Sequence, residues 1–411
     1  MDSFKKLIPW LMLIPLSIIL LSGCTRKNNL TGNNWSDTYA QTVKDSTGII
    51  MGYSYPADTL RTITGSESKL LVGNYQAATA ISYMRFAGLP ASAEISDLET
   101  PDSCFISIQV LKRSALPREP LMLQLYKINK AWTDTLSQIS ETDLELIPGA
   151  AYTVHDSISI IGRAVKIPLP TTAIYDWESE QDSTGWNLAI KAVNSGWVEI
   201  SSAETTNGST MQIKYKKEGD TTFKTYSSKA LKDSYTLDAP LAVGSVAWKL
   251  SNISPSRMFV KFDPNYTLFK NTDGSALSAQ ELKRLTVNKA TMILYVKNNE
   301  YYNGASTYSI YPFNVVRDSI SSITPLIKAD YEILLYTPTS IGLVRGDSLE
   351  IDITPLVQAY TSGDKTAKGV VLQSMQERQN FGELEFWDCL SGTPDSKKPF
   401  VRITYTPPFI N

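Results

Sequence analysis

Histidine is almost missing from this chain: His155 is the single one among 411 residues. A zinc site of the common His-rich or Cys-rich kinds cannot be assembled from one imidazole and a few scattered thiols. His155 sits in Tyr152-Thr153-Val154-His155-Asp156, and no nucleophile-elbow pattern occurs anywhere, so a Ser-His-Asp set is not expected and His155 reads as a loop or edge-strand residue. Cysteine is scarce as well. Besides Cys24 there are only Cys104 and Cys389, too far apart in sequence for a disulfide to be expected. Cys104 lies in the alternating run Cys104-Phe105-Ile106-Ser107-Ile108-Gln109-Val110 and reads as a small buried hydrophobe. An excess of charge of either sign is also lacking: 39 Lys and Arg against 41 Asp and Glu leave a formal net charge of −2. Nothing electrostatic therefore points to nucleic acid as a partner. What chemistry remains open must use carboxylates, tyrosines or an oxygen-liganded cation, and neither a cofactor nor a metal is expected.

The first two dozen residues carry the clearest positive signal. Lys5 and Lys6 precede an apolar run from Leu7 to Leu21, which ends in Leu21-Ser22-Gly23-Cys24. Leu-Ser-Gly-Cys resembles the lipobox of Gram-negative lipoproteins, in which the Cys thiol is diacylated and the preceding peptide removed. The alternative, a membrane-spanning anchor, needs roughly 20 apolar residues, and this run is shorter. Residues 1–24 are thus expected to be a signal peptide, with Cys24 the lipidated residue of an outer-membrane lipoprotein on its periplasmic or cell-surface face. The next residues are Thr25-Arg26-Lys27 rather than acidic ones. Residues 25–45 are polar, with Asn28, Asn29, Asn33 and Asn34, and are expected to form a flexible tether.

Beyond the tether the hydrophobic period is two rather than 3.6. Tyr83-Met84-Arg85-Phe86, Phe105 to Val110, Leu121 to Tyr126, Val198-Glu199-Ile200 and Met211 to Tyr215 are short runs rich in β-branched and aromatic residues, separated by Pro, Gly, Asn and Asp. The class is all-β. Two brief helices are expected. One has the capping box Ser278-Ala279-Gln280-Glu281. The other is Thr354-Pro355-Leu356-Val357-Gln358-Ala359-Tyr360, with Thr354 as N-cap, Pro at the first helical position and Gly363 as a stop.

The second half repeats the first. Tyr83-Met84-Arg85-Phe86 has its counterpart in Phe259-Val260-Lys261-Phe262, and Ser103 to Leu111 in Ala290 to Val296. Ala164 to Leu169 corresponds to Leu349 to Thr354, Gly185 to Ile190 to Gly369-Val370-Val371-Leu372, and Met211 to Tyr215 to Val401-Arg402-Ile403-Thr404-Tyr405. The boundary is placed at 219/220, giving units over 46–219 and 220–411.

This order of motifs resembles the DNRLRE, or disaggregatase-related, repeat family. The second copy carries Asp352-Ile353-Thr354, Leu356-Val357, Tyr360, Gly363 and Gly369 to Leu372 in place, whereas Pro168-Leu169-Pro170 replaces the Asp-Ile-Thr element in the first. The resemblance implies tandem jelly-roll β-sandwiches of extracellular and lipid-anchored proteins, some of which bind carbohydrate.

A β-sandwich that binds sugar presents aromatic rings beside amides and carboxylates. With eight Trp and 21 Tyr the supply is ample. Trp132, Trp177, Tyr301 and Tyr302 lie in polar settings and are the candidate ligand-binding residues, although Trp132 also stands where the family often carries a core tryptophan. Trp186, Trp197, Trp248 and Trp387 sit in alternating strands and are expected in the core. Glu383 and Glu385, two apart, share a strand face and could serve a carboxylate-dependent glycosidase or lyase, but solvated acidic residues give the same pattern. Calcium could be met at Asp263-Pro264-Asn265 or Thr272-Asp273-Gly274, yet no complete EF-hand loop is present. The expected function is non-catalytic polysaccharide binding at the cell envelope; the alternatives are an adhesive protein-binding module and, third, the carboxylate enzyme.

Overall fold

The structure is a computed structural model. It describes residues 40–408 apart from 60–62, 64, 89–94, 99–102, 115–118, 134–138, 156–161, 180–185, 299–307, 318–324, 335–341 and 366–367. The all-β expectation holds. Strands β1 (Gln41–Asp45) and β2 (Ile49–Pro56) come first. Next are β3 (Lys69–Tyr75), β4 (Ala78–Phe86), β5 (Asp97–Leu98), β6 (Phe105–Arg113), β7 (Leu121–Ile128), β8 (Leu144–Val154) and β9 (Ala164–Pro168). Helix α1 (Thr171–Ser179) leads to β10 (Trp186–Ala192), β11 (Gly196–Ser201), β12 (Thr210–Lys216), β13 (Lys224–Lys229) and β14 (Lys232–Asp238). The rest comprises β15 (Trp248–Ser251), β16 (Ser256–Phe262), α2 (Ala279–Arg284), β17 (Thr286–Asn298), β18 (Ser309–Val315), β19 (Tyr331–Ile333) and β20 (Gly342–Arg345). It closes with β21 (Ser348–Asp352), α3 (Thr354–Ser362), β22 (Val370–Ser374), β23 (Glu383–Phe386) and β24 (Phe400–Thr406).

Alternation decides which face each strand buries. Along β12, Met211, Ile213 and Tyr215 point into the core while Gln212 and Lys214 do not; Val401, Ile403 and Tyr405 do the same on β24. In the second sheet the hydrogen-bonded path β17-β21-β20-β18-β22-β16-β15-β23 returns to β17, so the sheet closes on itself. Closure is possible because β17 is long: its first part pairs with β24 and its last residues, after a register shift, with β23. The first sheet runs β13-β12-β6-β11-β3-β4-β10-β7-β8 and stays open. His155 is exposed and comes directly after β8, the last strand of that path.

The pairing corrects the expected domain limits. Residues 41–45, assigned to the tether, form β1, which lies antiparallel along β24, and β2 lies along β16. Both belong to the sheet of the second half. Conversely β13 pairs with β12 and β14 with β4, so the segment after the expected 219/220 boundary completes the first sheet. The two strand pairs occupy equivalent places on the two units and are exchanged between them. The physical reason is that the outer edges of β16 and β24 need backbone partners, and alternation within a strand does not say which edge it will fill. Asp45, fully buried, locks the exchange: its carboxylate accepts the Gly48 N–H at 2.7 Å and the Asn265 N–H at 2.7 Å, joining the β1–β2 corner to the second unit.

The two units also meet directly. Phe381 stacks on Trp197 with ring centroids 5.7 Å apart, the Tyr235 hydroxyl donates to the Arg378 carbonyl at 3.0 Å, and Arg378 donates to the Leu237 carbonyl at 2.9 Å.

Local chemistry accounts for the helices. The Ser278 capping box forms, with the Glu281 carboxylate accepting the Ser278 N–H at 2.7 Å. In α3 the N-cap is Ile353 rather than Thr354: the Asp352 carboxylate accepts the Thr354 N–H at 2.9 Å, while the Thr354 hydroxyl accepts the Ala290 N–H at 2.8 Å and pins the helix to β17. Gly363 ends the helix at φ 80°. The Tyr360 hydroxyl then accepts the Gly369 N–H at 2.9 Å, and Gly369 has to be glycine because a Cβ there would stand 2.4 Å from the Phe259 ring. In the first half α1 forms after Pro168-Leu169-Pro170 without an Asp-Ile-Thr element.

Residues 1–220 and 221–411 produced separately each lack the strand pair that completes their sheet. Neither is expected to melt cooperatively, whereas co-expression restores a cooperative β-type transition by circular dichroism. A sharp melting transition of isolated 221–411 would contradict the exchange.

Asp233, on β14, is 1% exposed, and its carboxylate accepts the Ala203 N–H at 2.5 Å. Burial, with Glu204 nearby, pushes its pKa up to about 6 against the opposing Ala203 N–H and the Lys229 ammonium. A carboxyl with a raised pKa in the folded protein favours folding below its ordinary value and loses that contribution as pH rises through about 6, on the order of 2–3 kcal/mol. Asp233→Asn, which keeps the acceptor, is therefore expected to melt above wild type at pH 8 and level with it at pH 4. A difference independent of pH would show that another group titrates.

Candidate functional site

On β16, Met258, Val260 and Phe262 enter the inner core, so Arg257 and Phe259 project to the outer face. The same alternation places Tyr53 and Tyr55 of β2, Val371 and Gln373 of β22, and Tyr311 and Phe313 of β18 on that face, in the register Tyr55 opposite Arg257, Phe259 opposite Val371 and Tyr311 opposite Gln373. Leu326 and Tyr331 fold over part of the apolar strip and bury it. The uncovered remainder is a cleft of about 360 Å³ lined by Thr59, Arg257, Tyr311, Phe313, Gln373, Ser374, Met375 and Glu377.

Arg257 forms the floor of the cleft, its side chain 3% exposed. Its Nε donates to Glu377 Oε1 at 3.1 Å and Nη2 to Glu377 Oε2 at 3.3 Å, a two-point pairing. Nη1 donates to Asp58 Oδ1 at 2.6 Å and to the Tyr331 hydroxyl, and Nη2 also reaches the Thr59 carbonyl at 3.2 Å. The guanidinium is thus surrounded by protein acceptors. Burial pushes the Glu377 carboxyl above its usual range against the pull of Arg257. For Asp58, burial acts in the raising direction but is outweighed by the Lys328 N–H, which it accepts at 2.7 Å, and by Arg257, so its pKa lies below the usual range. Tyr55 is fully buried alongside; burial and the neighbouring Tyr331 hold its phenol far above the ordinary value. Removing Glu377 would leave Arg257 buried with half its compensation gone, a change that typically costs about 3–5 kcal/mol.

Above this floor stands an aromatic shelf. Tyr311 and Phe313 are half-buried, two residues apart on one strand, with ring centroids 6.3 Å apart, and Phe313 meets Tyr331 edge-on at 5.4 Å. Gln373 borders the shelf and donates to Glu377 Oε2 at 3.2 Å. Planar apolar faces beside an amide and a carboxylate are the arrangement that a sugar ring, with its C–H faces and hydroxyl rim, requires.

The residues singled out from sequence lie elsewhere. Trp132 is 8% exposed: it packs against Tyr83 and donates from Nε1 to Asn187 Oδ1 at 3.0 Å, so it belongs to a buried cluster and is withdrawn as a ligand contact. Trp177 falls in α1, and its side chain, like Tyr301 and Tyr302, lies outside the described residues. Trp186, Trp197 and Trp248 are in the core, but Trp387 is half-buried beyond the end of β23 with the Lys297 ammonium 5.6 Å from its ring centroid. Glu383 and Glu385 are held by lysines on neighbouring strands, Lys249 at 2.8 Å and Lys297 at 2.7 Å. Cys104 is buried with its thiol 3.9 Å from the Lys214 carbonyl, and Cys389 is half-buried. Asp273 accepts the Ser275 N–H in a turn, and among the described residues no three His, Cys, Asp or Glu converge as metal ligands do.

The cleft escapes a reading of the sequence because its parts come from distant segments, Asp58 and Thr59, Arg257, Tyr311 and Phe313, and Gln373 to Glu377. The one local signal was Arg257 itself, a charge beginning the otherwise apolar run Met258-Phe259-Val260. Compared with known proteins, the chain matches no family model and no curated protein.

Proposed function

We propose that the protein is a non-catalytic saccharide-binding module of the bacterial cell envelope, held to a membrane by lipid on Cys24. The observation that carries the binding reading is the shelf of Tyr311 and Phe313 beside Gln373 and Glu377 over a 360 Å³ cleft. Sugar rings lie on such a shelf with their C–H faces, and their hydroxyls reach the Gln373 amide that the Glu377 carboxylate holds in place. A second reading, a protein-binding adhesive module, draws on the segment between β14 and β15, where Leu241, Val243 and Val246 are 78%, 83% and 67% exposed. The Lys-paired state of Glu383 and Glu385 gives no support to the carboxylate enzyme.

Tyr311→Ala is expected to weaken retention on whichever immobilised glycan the wild type binds by about tenfold, roughly 1.4 kcal/mol, while shifting unfolding free energy by less than about 1 kcal/mol. Unchanged retention would remove the shelf as the binding surface. For the anchor, Cys24→Ser lacks the thiol on which a diacylglycerol is built. Wild type is expected in the Triton X-114 phase and the variant in the aqueous phase, because two or more acyl chains make detachment negligible where one does not. Identical partitioning would end the lipoprotein reading.

A further inference from the structure

The cleft contains a cation that is already spent. Nε, Nη1 and Nη2 of Arg257 all donate to protein acceptors, Glu377 at 3.1 and 3.3 Å, Asp58 at 2.6 Å, the Thr59 carbonyl at 3.2 Å and the Tyr331 hydroxyl. Arg257 and Glu377 are 3% and 4% exposed at their side chains, so neither can swing out to meet a ligand without breaking a buried pair. Of the eight lining residues only these two carry charge, and they cancel; Asp58, directly behind Arg257, adds one further negative charge. What the walls leave for a ligand is neutral and amphipathic: two aromatic faces, the Gln373 amide and the Met375 thioether.

We infer, on the strength of the saccharide reading, that the cleft selects uncharged, hydroxyl-rich glycans and rejects uronic acids and sulfated sugars. An incoming carboxylate would have to shed water next to the carboxylates of Glu377 and Asp58, with no uncommitted cation among the described lining residues to receive it. A neutral hydroxyl meets no such cost, since the Gln373 amide can accept from it or donate to it. On the equivalent face of the first unit Ile81 stands where Arg257 does, by the pairing of β4 with β14 against that of β16 with β2, and among the described residues Trp132 packs on Tyr83 in the same buried cluster.

The full-length protein in detergent is titrated by calorimetry with chemically matched oligosaccharides that differ at C6, a galactan hexamer against a galacturonan hexamer and a glucan hexamer against its glucuronan counterpart. The neutral member of a pair is expected to bind at least tenfold more tightly. Gln373→Lys, a change at a half-buried position that places an ammonium beside Glu377, is expected to reduce that preference below about twofold, with melting temperature measured alongside. Equal or tighter binding of the oxidised member by wild type overturns the selectivity, and so does an unchanged preference in a folded Gln373→Lys. Binding of neither member of either pair overturns the saccharide reading and this inference with it.

Discussion

A β-strand whose edge carries unpaired N–H and C=O groups has to find a partner, and the way β16 meets that demand builds both the second sheet and its cleft. Its free side is filled by β2, from a segment some two hundred residues earlier in the chain. That pairing sets Tyr55 opposite Arg257 and delivers Asp58 and Thr59, just past the end of β2, to the guanidinium. The floor of the cleft is therefore a by-product of satisfying a sheet edge. A second closure, of β14 on β4, performs the same backbone service for the first unit.

The turn between β22 and β23 couples the cleft to the other unit. Gln373 and Glu377 face Arg257, and four residues beyond Glu377 Phe381 stacks on Trp197 of the first sheet. Between them Arg378 adopts φ 61°, a left-handed conformation that a non-glycine residue holds only when its surroundings insist. The insistence is visible: its N–H donates to the Asn252 carbonyl at 2.7 Å, its carbonyl accepts from Tyr235 and its guanidinium donates to the Leu237 carbonyl. Asn252 and Asn380 share a buried hydrogen bond of 2.7 Å at the base of the same turn. Contacts that dock the two units are thus the contacts that position Glu377.

The two halves show how one sheet pattern serves two ends. On the outer face of the first, Ile81, Tyr83, Ala189 and Trp132 make a buried cluster, and Lys191 pairs with Glu141. On the outer face of the second, Arg257, Phe259, Val371 and Gln373 hold the matching positions, and the covering tyrosine Tyr331 leaves Tyr311 and Phe313 partly open. Strand pairing is shared; what covers the face differs, and that difference creates a cleft in one unit and a plug in the other.

Much of this was legible in the sequence, for reasons that are local. Alternation in Met211 to Tyr215 and Val401 to Tyr405 dictated strands with one buried face, because a period of two admits no other regular fit. Ser278 with Glu281, and Pro355 with Gly363, marked helix ends through hydrogen bonds that span a few residues. The place of Trp132 was ambiguous, since a tryptophan in a polar stretch looks the same whether its ring turns in or out. Only the tertiary structure decided that β1 and β2 cross to the second unit, that Asp58, Arg257, Tyr331 and Glu377 meet, and that Tyr311 and Phe313 stand uncovered. Edge pairing and side-chain convergence are relations between segments far apart in the chain, and nothing in the alternation of one strand encodes which distant edge will accept it.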